Sequence, residues 1–591
     1  MEDIFFAIGI MVIIATLFSY LARIVKQPMI PAYIVAGIIL GPVLGIIINS
    51  SIIRTLSEIG IAFLLFITGL ELDLRKLKEV GVVSSFGGLI QVISVFAFTF
   101  LIAVMMRFTT IEAIYLGIII ALSSTMVVVK ILSDKQSIDT LHGKITIGIL
   151  IMQDIIAIVA LSLLKSMESF SLFFLVISLI KALLLIGFIF LLARFIVSPL
   201  FKTAAKNQEL LFLLAITFLF FSSLLFQHIG DIMVGLFSLF NVPLSSQMSQ
   251  SLGMGFSIAI GAFAAGVGMA NLPFTFQIIG QIKPLRDFFS TIFFVSLGLE
   301  LTSASLNSLV GPLLVFFILV VLLKPLIIFG LTVFFGYTKK TAFFTGLSLG
   351  QVSEFSLILV AQGILLGYIP QQILTITILL AILSIIFTSY IVNYDVPFYL
   401  AISPRIKSFD TLAEHTANLE YIPKRRRYEV IICGYSRIGF SIEKKLRELR
   451  KKILIIDFNP DIIRKLMKEK IPCMFGDVGN GEVLQRLDFS HANIIISTVP
   501  TLVDNEVLIE RAKRNNKDIT VIVTANQIDE ALKLYERGAD YVILPHFLGG
   551  KHVSMMIEDY HSNLKKLFHL KIAHIEELKE RKSLGHEHPL T

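Results

Sequence analysis

Asp154 and Lys324 are isolated charges inside long apolar runs, KITIGILIMQDIIAIVALSLL and LLVFFILVVLLKPLIIFGL. Ionised side chains are costly in hydrocarbon, so residues like these mark ion paths or buried pairs. A carboxylate in such a run can hold a proton or a monovalent cation but not both, and exclusive occupancy of one site couples two opposite fluxes. The alternative for Asp154 is a structural ion pair inside a helix bundle. Lys324 is expected to pair with Asp154 when no ion is bound and to release it on loading; a purely structural role is its alternative. A third intramembrane charge, Lys181, lies in a run without a repeat partner, where snorkelling or helix packing accounts for it.

Hydroxyls and amides flank these charges. Ser123, Ser124 and Thr125 in ALSSTMVVVK offer side-chain oxygens and, if the helix unwinds there, free carbonyls. Helix–helix hydrogen bonding is the plainer explanation for intramembrane Ser and Thr. The segment GQVSEF (350–355) adds Gln351, Ser353 and Glu354, read as structural or gating groups, with an ion-pathway carboxylate as the other reading of Glu354.

A different chemistry is written after residue 427. RYEVIICGYSRIGFSIEKKLRELRKKILIIDFNP gives an apolar strand (429–433), a turn with Gly434, Ser436 and Gly439, an amphipathic helix, and a second strand ending at Asp457. Strand, glycine turn, helix and an acid about 20 residues on form the dinucleotide-binding layout. The turn amides and helix N-terminus suit a phosphate, and Asp457 suits ribose hydroxyls and argues against a 2′-phosphate. Ser436 in place of the second glycine crowds a pyrophosphate, which favours a mononucleotide. PCMFGD (472–477), NIIISTV (493–499), DITVIVTA (517–524) and DYVILP (540–545) continue the alternation and predict a six-stranded parallel sheet.

Two solvents position these residues. Of 591 residues, 55% are hydrophobic and 16% charged, too apolar for a soluble chain of this length. Up to about residue 395 the chain is a series of apolar runs of roughly 20 residues; charged, soluble patterning follows. Spans are placed near 3–22, 30–48, 53–71, 81–105, 112–131, 145–164, 170–198, 209–227, 251–271, 287–301, 308–336, 341–362 and 369–393. Alternate loops carry the basic residues, among them Arg23 and Lys26, Arg75 to Lys78, Lys135 and Lys144, and Lys339 and Lys340. By the positive-inside rule the N-terminus is outside and the C-terminal domain cytosolic. The net charge of +8 is therefore assigned to membrane orientation, not to nucleic acid. The first run is read as a span, not a cleaved signal. Cys433 and Cys473, the only cysteines, fit a reducing cytosol and give no metal or disulfide pattern.

The spans repeat. AGIILGP (36–42) matches AGVGMAN (265–271), and ITGLELD (67–73) matches VSLGLEL (295–301), with Gly69 and Gly298 in register. The two pairs share one offset, the step from Ala36 to Ala265 and from Gly69 to Gly298. ALSST (121–125) and GLSLG (346–350) form a third pair at nearly the same spacing. A shift of seven spans inverts the second copy, a transporter arrangement with its binding site at the repeat interface. The fifth and twelfth spans, richest in Gly, Ser and Thr, are the candidates for broken crossing helices.

Residues 1–395 resemble the monovalent cation:proton antiporter-2 superfamily, and the Gln153–Asp154 pair with the SST and GQ-x-SEF segments resembles its ligand-gated potassium-efflux (Kef-type) family. The resemblance implies a polytopic α-helical antiporter fold, Asp154 as ion and proton carrier, Gln153 in place of a second acid, and Lys324 as the lysine paired with Asp154. It also implies electroneutral exchange of K+ for H+, a homodimer in the lipid of the cell membrane, and elevator-like motion of a core against a scaffold. Sodium/proton exchange on the same scaffold is the alternative. The soluble part resembles the RCK, or TrkA-N, domain, a cytosolic α/β Rossmann-like fold. That resemblance adds Asp477 at the adenine side and Arg437 as a phosphate contact. The candidate nucleotide residues are thus Gly434, Ser436, Arg437, Ile438, Gly439, Asp457, Asp477 and Val478. The implied ligand is a regulatory adenine nucleotide, AMP ahead of NAD(H) or ATP; a domain that only dimerises is the alternative.

The expected organisation is a transport domain (1–395), a linker (396–427), the nucleotide domain (428–550) and a charged tail (551–591) whose His586 and His588 are read as solvated. A gated potassium channel would need a filter such as TVGYG, which is missing. A membrane oxidoreductase would need haem-type His pairs, Cys clusters or a flavin signature in the spans, and none is present. The chain is read as a transporter and not an enzyme.

Overall fold

The computed structural model describes residues 4–402 apart from 26, 48–50, 72–85, 136, 139, 164–171, 205–206, 240–255, 271, 273–274 and 302–305. It also describes 420–548 apart from 422, 424–426, 436, 477, 480 and 546, together with 554. Most of the linker, Ser436, Asp477 and the tail with His586 and His588 therefore lie outside the described residues. Two compact units are present, residues 1–331 with 340–402, and residues 332–339 with 403–591.

The first unit is all helical. Among the described residues, nine helical stretches are long and apolar enough to cross a membrane, and shorter apolar helices cover Met29–Val43, Ile258–Met269 and Glu354–Leu365. Large apolar side chains such as Phe5, Met105, Phe195 and Leu326 are exposed on its surface, the arrangement expected where lipid is the solvent.

The repeat is visible as packing. Gly37 and Gly298 let two helices touch through their backbones: a Cβ on Gly37 would lie 2.0 Å from the Val295 oxygen, and one on Gly298 2.2 Å from the Ile34 oxygen. Gly69 and Gly266 do the same, with would-be distances of 2.5 Å to the Phe263 oxygen and 2.1 Å to the Phe66 oxygen. The repeat offset that carries Gly37 to Gly266 also carries Gly69 to Gly298. Each contact thus maps onto the other, and a two-fold relation between the copies accounts for the match.

The fifth and twelfth spans are broken. Helix Thr110–Ala121 ends at Leu122 and a new helix, Thr125–Asp134, starts behind the N-cap Ser124. Helix Lys339–Ser348 is followed, after an unwound stretch, by Glu354–Leu365 behind the N-cap Ser353. Each cap serine accepts a backbone hydrogen bond from its helix, Ser124 from Val127 and Ser353 from Phe355. Ser124 and Ser353 stand at the same offset as the glycines. The pairing of ALSST with GLSLG is thereby corrected: ALSST corresponds to GQVSE (350–354). Similarity of small residues had drawn the match one turn too early, whereas the break is set by its cap.

The second unit carries a seven-stranded sheet of β1 (Glu420–Tyr421), β2 (Val430–Cys433), β3 (Ile453–Asp457), β4 (Cys473–Phe475), β5 (Ile494–Ser497), β6 (Thr520–Thr524) and β7 (Tyr541–Ile543). The order is β1-β4-β3-β2-β5-β6-β7, with β2 to β7 parallel and β1 antiparallel on β4. The six expected parallel strands are present; the added edge strand comes from the stretch read as linker. Strand order reverses at β2, so the crevice at the carboxyl ends of β2 and β5 is where such sheets bind ligands.

Candidate functional site

The breaks expose backbone groups where no water can satisfy them, so each needs a partner from the protein. In the first crossing the Ala121 carbonyl accepts from Gln91 Nε2 (3.2 Å), and the Ser123 N–H donates to Gln153 Oε1 (2.8 Å). Gln153 Nε2 donates to Gln91 Oε1 (2.7 Å), so two buried amides clamp the break from outside it. In the second crossing the Gly350 carbonyl accepts from the Thr388 hydroxyl (2.8 Å) and the Val352 N–H donates to Ser384 Oγ (3.1 Å). The crossings also bind each other, through Ser123 Oγ to the Leu349 carbonyl (2.9 Å) and Gln351 Nε2 to the Ser124 carbonyl (3.4 Å).

Lys324 joins both. Its ammonium donates to the Leu122 carbonyl at 2.6 Å and the Gln351 carbonyl at 2.8 Å, and the side chain is fully buried. Leu122 is the C-cap of the Thr110–Ala121 helix, so the cation meets a negative helix end. Just before Lys324 the helix widens into a π-helical turn, Leu319–Leu323, ahead of Pro325 with its missing N–H. The expected Lys324–Asp154 ion pair is not formed here; the carbonyls of the two breaks take the ammonium instead.

Asp154 lies at the opposite kind of end. The Thr125 hydroxyl donates to its carboxylate, 3.1 Å to Oδ1 and 3.0 Å to Oδ2, and Thr125 is the first residue of its half-helix. A carboxylate is favoured beside a helix N-terminus. The structure thus brings together Asp154, Thr125, Ser124, Ser123, Gln351, Ser353, Glu354 and Lys324. Gln153 belongs to the same cluster, but both its polar ends are engaged by Ser123 and Gln91. Lys181 is buried, with its ammonium 5.2 Å from the centre of the Phe256 ring. Sequence reasoning missed Gln91, Ser384 and Thr388. The lone amide of Gln91 in the run GLIQVISVF was the signal available for the first.

In the second unit Gly434 has φ +91°, and a Cβ on Gly439 would lie 2.1 Å from the Gly434 oxygen, so both glycines are needed for this turn. Asp457, at the end of β3, accepts from the Tyr435 N–H (2.7 Å) and the Asn459 N–H (2.8 Å), tying its strand to the turn after β2. Ile438 lies in the helix Arg437–Glu448 that begins at the turn. Val478 is packed in the domain core. The side chain of Arg437 lies outside the described residues. Burial and the nearby Asp457 push the Cys433 thiol up to about 12, and burial pushes the Cys473 thiol up to about 11, so neither is poised as a thiolate.

Against known proteins, the profile described as sodium/hydrogen exchanger, transmembrane, matches residues 11–234 and 231–393. The chain belongs to the sodium/hydrogen exchanger family. This antiporter carries a TrkA-N nucleotide-binding domain matched over residues 430–545, the combination of the Kef-type branch. It is 26% identical to the putative cation/proton antiporter YbaL of Escherichia coli (strain K12) over 90% of this chain and 93% of that one. With K(+) efflux antiporter 6 of Arabidopsis thaliana it shares 32% identity over 57% of this chain and 54% of that protein. With the glutathione-regulated potassium-efflux system protein KefC of Escherichia coli (strain UTI89) it shares 25% over 86% and 77%.

Proposed function

We propose that this antiporter exchanges K+ for H+ across the cell membrane by alternating access, and that an adenine nucleotide on its cytosolic domain gates the exchange. The observation that carries the reading is Asp154, a buried carboxylate whose only side-chain donor among the described residues is the Thr125 hydroxyl. Lys324 is occupied elsewhere, so a cation or a proton does not have to displace an ammonium to reach Asp154. Cation binding by the carboxylate on one side, movement of the core, and displacement by a proton on the other give obligatory exchange. Potassium is supported by the relatives named for potassium efflux. The N-terminus is placed outside and the nucleotide domain in the cytosol, with two copies forming a dimer.

Sodium as the cation is a second reading, favoured by one observation. Gln153 spends both polar ends on Ser123 and Gln91, so the residue that stands for potassium in the family pattern does not itself face the carboxylate. On the cytosolic side, the turn at Gly434, the helix beginning at Arg437 and Asp457 at the end of β3 fit a phosphate and a ribose. AMP is preferred to NAD(H) or ATP because the sequence has Ser436 where the dinucleotide fingerprint has its second glycine.

Proton flux in proteoliposomes under potassium, sodium or rubidium gradients, with and without AMP, NAD(H) or ATP, decides among these. Asp154→Asn is expected to abolish exchange with an unchanged melting temperature; retained exchange overturns the carrier assignment. Asp457→Ala is expected to remove the nucleotide effect while basal exchange persists, and an intact nucleotide effect refutes the ribose placement.

A further inference from the structure

Glu354 is 3% exposed and stands at the first position of its half-helix. The Ser124 hydroxyl and the Met126 N–H, which belong to the other crossing, lie close enough to act on its carboxylate, as does its own N–H. One oxygen, Oε2, has no hydrogen-bond partner among the described residues, and neither has Oε1 of Gln351 in the same break. Glu354 is also close enough to act electrostatically on Asp154.

We propose that Glu354 is a second cation ligand of the Asp154 site, so that the site draws one carboxylate from each side of the repeat interface. This deepens the carrier reading of Asp154 and rests on it. Three observations carry it. The first is the free Oε2 itself: a helix cap needs one acceptor, and a buried carboxylate oxygen left over is costly unless something of opposite charge meets it. The second is symmetry. Thr125 and Glu354 are related by the repeat offset, each the first residue after the cap serine of its crossing, and Thr125 holds Asp154. The same position in the second copy carries a carboxylate, near enough to Asp154 to act on it.

The third is charge. Asp154, Glu354 and Lys324 are all buried, while Arg286, which also acts on Glu354, is paired with Asp287. Two carboxylates and one ammonium sum to a single negative charge. One monovalent cation or one proton then brings these three groups to neutrality in either loaded state. Asp154 and Lys324 alone would carry a net positive charge when loaded, which hydrocarbon disfavours.

Glu354→Gln separates a ligand from a cap. The amide oxygen can still accept from the groups around it, the Met126 N–H and the Ser124 hydroxyl among them, while the charge is gone. In proteoliposomes at fixed pH, the KM for potassium and rubidium, and for sodium if it is transported, is expected to rise about tenfold or more with an unchanged melting temperature. A KM within about twofold of wild type for all three cations overturns the proposal and leaves Glu354 as a cap. If Glu354→Gln does not assemble, Glu354→Asp, which keeps the charge and withdraws it by one methylene, is expected to raise KM; an unchanged KM again overturns it. Asp154→Asn run in parallel keeps the two readings apart. Exchange retained by Asp154→Asn defeats the carrier reading and this inference with it. Exchange lost in Asp154→Asn beside an unaltered Glu354→Gln defeats only the inference.

Discussion

The two crossings share a backbone and differ in what holds it. Both break behind a cap serine, at equivalent positions of the repeat, and both lend a carbonyl to Lys324. The first break is clamped by two buried amides, Gln91 and Gln153; the second is held by two hydroxyls, Ser384 and Thr388, from the helix Gln371–Asn393. At the same offset the counterpart of Asp154 is Leu383, that of Lys324 is Val95, and that of Gln91 is Val320. Duplication supplies two half-helix pairs with their dipoles in place. Divergence then puts a carboxylate near one set of ends and an ammonium at the other. The repeat makes the paired breaks, and its asymmetry makes the chemistry.

The largest structural effect is expected at Lys324, whose side chain serves both crossings. Lys324→Met removes the donor from two buried carbonyls, at about 1–3 kcal/mol each. The purified protein should therefore unfold at a clearly lower temperature and lose exchange. Asp154→Asn, expected to silence transport, should leave the melting temperature nearly unchanged. If an ion pair between the two residues governed stability instead, adding Asp154→Asn to Lys324→Met would restore it. Recovery in the double variant would break the comparison, because Lys324 would then belong to Asp154 and not to the breaks.

The amide clamp comes next. Gln153→Leu leaves the Ser123 N–H and Gln91 Oε1 without a partner, and Gln91→Leu leaves the Ala121 carbonyl and Gln153 Nε2 in the same state. Each single change is expected to cost about 1–3 kcal/mol. Because the two amides act as a unit, the double variant should cost less than the sum of the singles, with a coupling of about 0.5–3 kcal/mol. Thermal unfolding of the four proteins gives the cycle. Strict additivity would mean that the clamp is two independent contacts.

What could be read from residue order divides along the same line. Apolar runs give the helices, and the Gly, Ser and Thr content of the fifth and twelfth spans points to their breaks, because water-free backbone needs either helix or a polar neighbour. The constant offset of Gly37 with Gly266 and Gly69 with Gly298 reveals the repeat, because only glycine allows such close helix contact. Gln91 was hidden because a neutral amide barely disturbs an apolar run. Ser384 and Thr388 look like hydroxyls bonded within their own helix, as Ser384 also is to the Ala381 carbonyl, and nothing in the chain tells that either reaches the second break. The direction of Lys324 was misjudged for a related reason: charge suggests a charged partner, whereas two helix-end carbonyls serve as well. In the nucleotide domain the alternating strands were legible, but β1 has only two residues and no periodicity to show.

The smallest effect is expected at the hydroxyl side of the comparison. Thr388→Val keeps the shape of the side chain and removes one hydrogen bond, the one to the Gly350 carbonyl. Interhelical hydrogen bonds in membranes average about 0.6 kcal/mol and reach at most about 1.7 kcal/mol. Exchange should persist, and the shift in unfolding temperature should be a fraction of that for Lys324→Met. The neighbouring Val352 N–H keeps Ser384, the Gln351 carbonyl keeps Lys324 and the Leu349 carbonyl keeps Ser123, so the second break retains these ties when the one to Thr388 is cut. A loss as large as that of the amide variants would show that the break beside Glu354 is held as rigidly as the one beside Asp154. Hydroxyls would then serve the second copy as a glutamine pair serves the first, and the asymmetry between the crossings would lie in the charged groups alone.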